Sequence, residues 1–308
     1  MQIKPQKCFL CGEANFSHYA SATDVEYFTT DEHYDFYECN NCKLLQIAPV
    51  PEDKLSKIYP PNYYSFATQK QSLVNSIKEW LDKRLFKKIL NQLPGNDLKL
   101  LDVGGGNGWL LNIIKSITGR VTYTHVVDLD PDAEKLAIQN GHQYFCGRIE
   151  DFNTDVKFDF ALLLNLIEHV KDPLAVLSKI ESILTKDGVV LIKTPNYDAL
   201  DARIFKHKNW GGYHCPRHWV LFTKESITTA AEKAGLKVNH FSYTQGAPFW
   251  AVSIMAYLKQ KKLVNINASR PAFYHPVYKI LIGVFAAFDI LRKPFGKPSQ
   301  MFIILSKK

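Results

Sequence analysis

Four cysteines stand in two pairs, Cys8 with Cys11 and Cys39 with Cys42, each in C-x-x-C spacing. Two such knuckles offer four thiolates that close a tetrahedral shell around zinc, and a closed shell leaves no open position for catalysis, so the site is expected to be structural. Gly12 and the Asn40-Asn41 pair are expected to supply the tight backbone of the two knuckles. Cys146 and Cys215 lack such partners in sequence. A second group of reactive types crowds into "FKHKNWGGYHCPRHWVLFT", which holds His207, His214, His218, Trp210, Tyr213 and Arg217. A neutral imidazole, with a pKa of about 6.5, can take a hydroxyl proton. His218 is the first candidate base and His214 the second, with bracing of the loop as the alternative role for His218; His207 is expected to be exposed. The third group is the loop "GGGNG", in which Gly104, Gly106 and Gly108 let the backbone turn sharply and approach a ligand closely.

These residues need elements to hold them. The glycine loop follows a buried-strand pattern, "LKLLDV", and opens the helix "WLLNIIKSI". A dinucleotide fingerprint would require glycine where Trp109 stands, whereas G-x-G-x-G is satisfied. The next strand, "VTYTHVVD", ends in Asp128, at the distance expected of a carboxylate that holds both ribose hydroxyls of an adenosyl group. Strand patterns recur in "YFCG", "KFDFALLLN", "KDGVVLIKTPN", "LKVNHFSYT" and "SQMFIILSKK", separated by helical stretches. The histidine segment follows the fifth strand, on the edge where ligands collect in open α/β sheets. The chain therefore divides into a four-cysteine module (1–50), a connector with an amphipathic helix (51–95), and an α/β domain (96–308) with a helical insertion at about 246–298. In the connector, Tyr59, Tyr63 and Tyr64 either pack or form an aromatic lid, and Leu73, Ile77, Trp80, Leu81, Leu85, Ile89 and Leu93 fall at helical spacing up to Pro94-Gly95.

"FYECNNCKLLQIAPVP" resembles the second half of a zinc ribbon, and "LDVGGGNG", "EHVKDP" and "DGVVLIKTPN", in that order, resemble class I S-adenosylmethionine-dependent methyltransferases over residues 96–245 and the last strand. The resemblance implies an α/β fold: a seven-stranded, mostly parallel Rossmann-like sheet with helices on both faces, plus the small N-terminal zinc-binding module. It implies S-adenosyl-L-methionine as cofactor, with Asp102, Gly104 and Gly106 at the methionine end, Asp128 on the ribose, Ile149 and Glu150 at the adenine, and Asn165 beneath the sulfonium. His218 falls at the histidine of a "PxHL" segment in similar enzymes. Glu168 and His169 resemble part of the E-x-x-E-H metal cluster of ubiquinone-pathway O-methyltransferases, but Asn165 replaces the first carboxylate, which argues against a catalytic divalent ion. The implied reaction is O-methylation of a small or carrier-linked metabolite, such as a sugar in surface-glycan or natural-product biosynthesis.

Composition narrows the partners. In 308 residues the net charge is +8, which fits either an anionic partner or a solvated basic surface. Asp31, Glu32, Asp35 and Glu38 make the cysteine module a poor surface for phosphates. That disfavours the rival reading of a nucleic-acid or protein methyltransferase with the module as recognition head; a non-catalytic adenosyl-binding scaffold is the other rival. The longest apolar stretch, "ILIGVFAAFDIL", is interrupted by Asp289 and falls short of the roughly 20 residues that span a bilayer. No signal-peptide pattern opens the chain, so a cytoplasmic address is expected, with attachment to the inner face of the membrane as an option. The apolar insertion with basic ends fits peripheral membrane contact, a homodimer interface or a pocket wall.

Overall fold

The computed structural model describes residues 4–60, 63 and 73–308, with 73–78 as backbone alone. Tyr64 lies outside the described residues. In chain order come β1 (Phe16–Ala22), β2 (Tyr34–Cys39), β3 (Leu45–Ala48), α1 (Leu55–Ile58), α2 (Leu73–Leu90), β4 (Leu98–Val103) and α3 (Trp109–Ile117). There follow β5 (Val121–Asp128), α4 (Pro131–Gln139), β6 (Gln143–Cys146), β7 (Phe158–Leu164), α5 (Pro173–Ile183), β8 (Leu184–Pro195) and α6 (Leu200–Ile204). The chain closes with β9 (Val220–Leu221), α7 (Lys224–Lys233), β10 (Leu236–Thr244), α8 (Ala247–Gln260), α9 (Pro276–Arg292) and β11 (Gln300–Lys307).

Seven strands form one sheet in the order β10-β11-β8-β7-β4-β5-β6, parallel from β8 through to β6, with β11 antiparallel to both its neighbours. Strands buried on both faces need apolar residues at consecutive positions. Accordingly Val103, Leu163 and Ile192 face a core with Val176 and Ile180 of α5, while Leu100, Leu162 and Leu191 face another with Phe86 and Leu90 of α2 and Ile114 of α3. Each such buried side chain contributes about 1.5–3 kcal/mol. Local chemistry starts the helices: Asp130 caps α4 and Asp172 caps α5, each followed by proline in the first turn, and Thr223 with Ser226 forms a reciprocal cap on α7.

The helix expected over 73–93 ends at Leu90, and its apolar stripe is incomplete: Trp80 and Leu81 are exposed, Trp80 lying under the Arg84 guanidinium, while Phe86, Ile89 and Leu90 are buried.

A second sheet, β1-β2-β3-β9, is antiparallel throughout. Its fourth strand comes from the segment that carries the histidines, because Leu45 and Gln46 pair with Leu221 and Val220. Leu10, Cys39 and Leu44 enter the same core as α5 and α7. The cysteine module is thus tied to the histidine segment by the β3–β9 hydrogen bonds and to the large sheet by apolar packing.

Candidate active site and metal centre

The four cysteines converge. Sγ of Cys8 lies 3.4 Å from that of Cys42, and Sγ of Cys11 lies 3.5 Å from that of Cys39. All four sulfurs fall within 4.8 Å of one another. A disulfide would need about 2.05 Å, whereas a tetrahedron with metal–sulfur bonds of about 2.3 Å sets its sulfurs about 3.8 Å apart. The donor set therefore fits a zinc ion. Hydrogen bonding from Cys42 pulls the Cys8 thiol down to about 5, while the same contact and burial push Cys42 up. Both knuckles are built alike: Gly12 N–H donates to the Cys8 carbonyl and Lys43 N–H to the Cys39 carbonyl. Gly12 and Lys43 both lie in the left-handed region, so in the second knuckle that conformation falls to Lys43 and not to the Asn40-Asn41 pair.

At the carboxyl ends of β4 and β5, next to the β4–β7 junction where the strand order reverses, Asp102 and Asp128 flank the glycine loop. The Asp128 carboxylate accepts from Gly106 N–H at 2.7 Å and from Asp130 N–H at 3.0 Å. Asp102 is fully buried, and one of its oxygens, Oδ2, has no hydrogen-bond partner. Burial, and then the charge of Asp128, push its carboxyl up to about 8. Gly104, Gly106 and Gly108 all have positive φ, and a Cβ at Gly104 would meet Leu166 at 2.9 Å. A buried carboxyl oxygen without a partner, beside glycines that keep side chains out of the loop, fits a polar ligand brought close to the backbone. Ile149 is buried beside Val127 and Phe152, and Glu150 is half-buried next to it. Asn165, held at φ 56°, donates through Nδ2 to Glu168 at 3.0 Å.

The histidine segment leaves β8 through α6 and folds over the end of the sheet. His169, His214 and His218 pack against one another, edge to face for His169 and His218 with ring centroids 4.7 Å apart, and tilted for His214 and His218 at 4.9 Å. His218 is buried and donates from Nδ1 to the Gly212 carbonyl at 2.8 Å. Burial and the neighbouring histidines hold it well below the usual imidazole value, so it is neutral. His214 pairs through Nδ1 with the Glu26 carboxylate, and its Nε2 meets the Tyr63 hydroxyl at 3.2 Å. His169 donates from Nδ1 to the Arg217 carbonyl at 3.1 Å, beside the Tyr59 hydroxyl at 3.0 Å. His207 is exposed, apart from this cluster.

Glu168 is fully buried, accepts from Asn165 and Thr194, and is pushed up to about 7 by burial. With His169 and His218 it brings three ligand atoms within 4.8 Å. Here the geometry offers more than the sequence reading, which saw the lost carboxylate at Asn165 and not that His218 would join Glu168 and His169.

Two carboxylates that no sequence motif marks meet this segment. Asp24 and Arg217, both with no side-chain exposure, form an ion pair of 2.8 Å, and Arg217 also donates to the Ile58 carbonyl at 2.6 Å and lies over the Tyr27 ring. Burial raises the Asp24 carboxyl, but the Arg217 guanidinium outweighs it and holds it at about 2. Glu26, two residues on, is the partner of His214. "TDVEY" carries no spacing signal that announces either role.

Residues 77–240 match the family model described as "Methyltransferase domain". A ubiquinone biosynthesis O-methyltransferase of Bradyrhizobium sp. (strain ORS 278) is 32% identical over 117 residues, 35% of this chain and 44% of that protein. The protein of the same name from Nitrobacter winogradskyi is 30% identical over 193 residues, covering 54% of this chain and 67% of its own. The chain thus spans under half the length of the first of these relatives. Among solved structures, coclaurine N-methyltransferase bound to N-methylheliamine and SAH is similar with a TM-score of 0.50 and 14% identity, over 79% of this chain and 76% of that one. Such distant likeness speaks to the fold.

Proposed function

Since this chain belongs to the methyltransferase-domain family, we propose that it is an S-adenosylmethionine-dependent O-methyltransferase of a small or carrier-linked metabolite, with His214 as the proton acceptor. The observation that carries the reading is the meeting of two sites at one sheet edge: the glycine loop with Asp102 and Asp128, and beside it a buried cluster of three histidines. The cofactor supplies an electrophilic methyl group on a sulfonium. Asp128 would hold the ribose hydroxyls, Asp102, Gly104 and Gly106 would line the methionine end, and Ile149 and Glu150 the adenine, with Asn165 beneath the sulfonium.

Methyl transfer to a hydroxyl needs alignment and removal of one proton. Glu26 on Nδ1 fixes the His214 tautomer and stabilises the imidazolium that forms, which leaves Nε2, the nitrogen facing Tyr63, to take the proton. His218, first choice from the sequence, has Nδ1 committed to the Gly212 carbonyl and no carboxylate on that nitrogen; bracing the 211–213 turn suits it better. We also propose a structural zinc held by Cys8, Cys11, Cys39 and Cys42, steadying β1 and β2, whose connecting loop carries Glu26.

The test is turnover on hydroxylated acceptors, beginning with nucleotide-linked and lipid-linked sugars. His214→Ala should lower kcat by about 10²–10⁴, with S-adenosylhomocysteine affinity unchanged, and Glu26→Gln should shift the pH profile of kcat. Full turnover in a folded His214→Ala protein would refute the assignment. A larger loss in His218→Ala than in His214→Ala would return the base to His218.

A further inference from the structure

We propose that the outer face of α9 docks this protein onto the surface of an anionic phospholipid bilayer, the helix lying in the plane of the headgroups. A helix on a protein surface normally turns polar residues outward. Here Ile280, Val284 and Leu291, on one face of the helix, are 64%, 55% and 75% exposed, and Phe295 just beyond the helix is 90% exposed. Gly283 and Ala287 complete the stripe, and Lys279 is its one charged member. The opposite face, half-buried apart from the buried Asp289, has its own partners: Phe285 stacks on Trp250 of α8 at 4.6 Å, and Asp289 accepts from Gly246 N–H, Trp250 Nε1 and Arg292 Nε. The exposed residues are therefore not displaced core residues, because the helix already has its inner contacts.

Charge decides between occupants. Residues 246–298 hold the cations Lys259, Lys261, Lys262, Arg270, Lys279 and Lys293, besides Arg292, which pairs with the segment's single acid, the buried Asp289, and Lys297, which pairs with Asp198. A second copy placed on the same face would set Lys279 and Lys293 against themselves, with no exposed carboxylate in the segment to answer them. A bilayer with anionic headgroups answers both features: aliphatic side chains reach the acyl boundary while the exposed lysines reach lipid phosphates. The helix has 17 residues, about 26 Å at 1.5 Å per residue, and among the described residues no helix is long and apolar enough to cross a membrane. Docking needs no turnover, so it stands apart from the methyl-transfer reading.

Flotation of the whole protein with phosphatidylcholine vesicles, alone or mixed with phosphatidylglycerol, tests it. Binding should appear with phosphatidylglycerol, fall with salt, and be weaker by about tenfold or more on neutral vesicles. Ile280→Asp with Leu291→Asp, and separately Lys279→Glu with Lys293→Glu, should each cost about tenfold in binding while melting temperature and S-adenosylhomocysteine affinity hold. No flotation with anionic vesicles, or equal flotation of the folded double variants, overturns the proposal. A dimer in solution that Leu291→Asp disperses, in a protein that ignores vesicles, would assign the face to a second copy instead.

Discussion

The glycine loop, Asp102 and Asp128 come from one uninterrupted strand–loop–helix–strand stretch, whereas His214 meets Glu26 from the loop between β1 and β2 and Tyr63 from the connector, with the loop's neighbour Gly211 anchored on Ser253 of α8. On the first side, position follows from local rules: a strand buried on both faces, positive φ at three glycines, and a helix opening at the ligand. On the second, position depends on pairings across the whole chain, Asp24 with Arg217 and Glu26 with His214 being separated by 193 and 188 residues. A site built locally keeps its shape when a distant element is damaged. One built from four segments fails with any of them, and the cysteine module becomes part of the histidine side and not an appendage.

The sharpest way to break that contrast is Asp24→Ala. It leaves the Arg217 guanidinium buried without its carboxylate, which should cost about 3–5 kcal/mol in denaturant unfolding. The wild-type pair also carries a pH signature. The Asp24 carboxyl is held below its ordinary value, so its contribution is present above about pH 4 and is lost as pH falls from there toward 2. If the two sides are built as described, Asp24→Ala should loosen the histidine loop toward proteolysis while S-adenosylhomocysteine still binds under conditions where the variant is folded. Equal loss of cofactor binding would mean that the two sides form one unit.

The reverse experiment acts on the local side. Asp128→Ala removes a carboxylate that gathers the Gly106 and Asp130 amides, and should weaken S-adenosylhomocysteine by about tenfold or more, about 1.5–3 kcal/mol, with the acceptor side and zinc content untouched. Calorimetry reads it directly. Unchanged affinity in a folded variant would move the ribose contact away from the end of β5.

The same contrast explains what could be read from the sequence. All seven strands of the large sheet were legible because their apolar runs and the Asp-Pro starts of α4 and α5 are local signals. The cysteine cluster was legible because C-x-x-C is a short-range constraint, although Lys43, where a glycine would be expected, gave no sign of its left-handed backbone. Asp24 and Glu26 were not legible, since an acid among other acids does not show which cation or imidazole it will meet after folding. Nor was the joining of β9 to β3, because two residues make too short a strand for any periodicity. Trp80 failed in the other direction, an apolar residue at helical spacing that packs outward under Arg84.

The smallest effect belongs to Asp201, at the root of the histidine segment. Its carboxylate is buried and accepts from Trp210 Nε1 at 2.7 Å and from the Ser299 hydroxyl at 2.6 Å, tying α6 to the start of the loop and to β11's approach. Burial pushes this carboxyl up to about 6, in spite of those two donors. A group whose folded value lies above its unfolded one binds a proton more readily in the folded state, so its contribution is full below about pH 4 and is lost as pH rises through 6. Wild-type stability should therefore decline by about 1 kcal/mol between pH 5 and pH 7 from this group. Asp201→Asn keeps an acceptor for Trp210 and can donate to the Ser299 oxygen, but has no proton to lose. The variant should match wild type near pH 4 and overtake it by pH 7, with the difference in unfolding free energy rising across that interval. A constant difference from pH 4 to 8 would show that the carboxyl is already ionised throughout, and that the loop is anchored by a charged group after all.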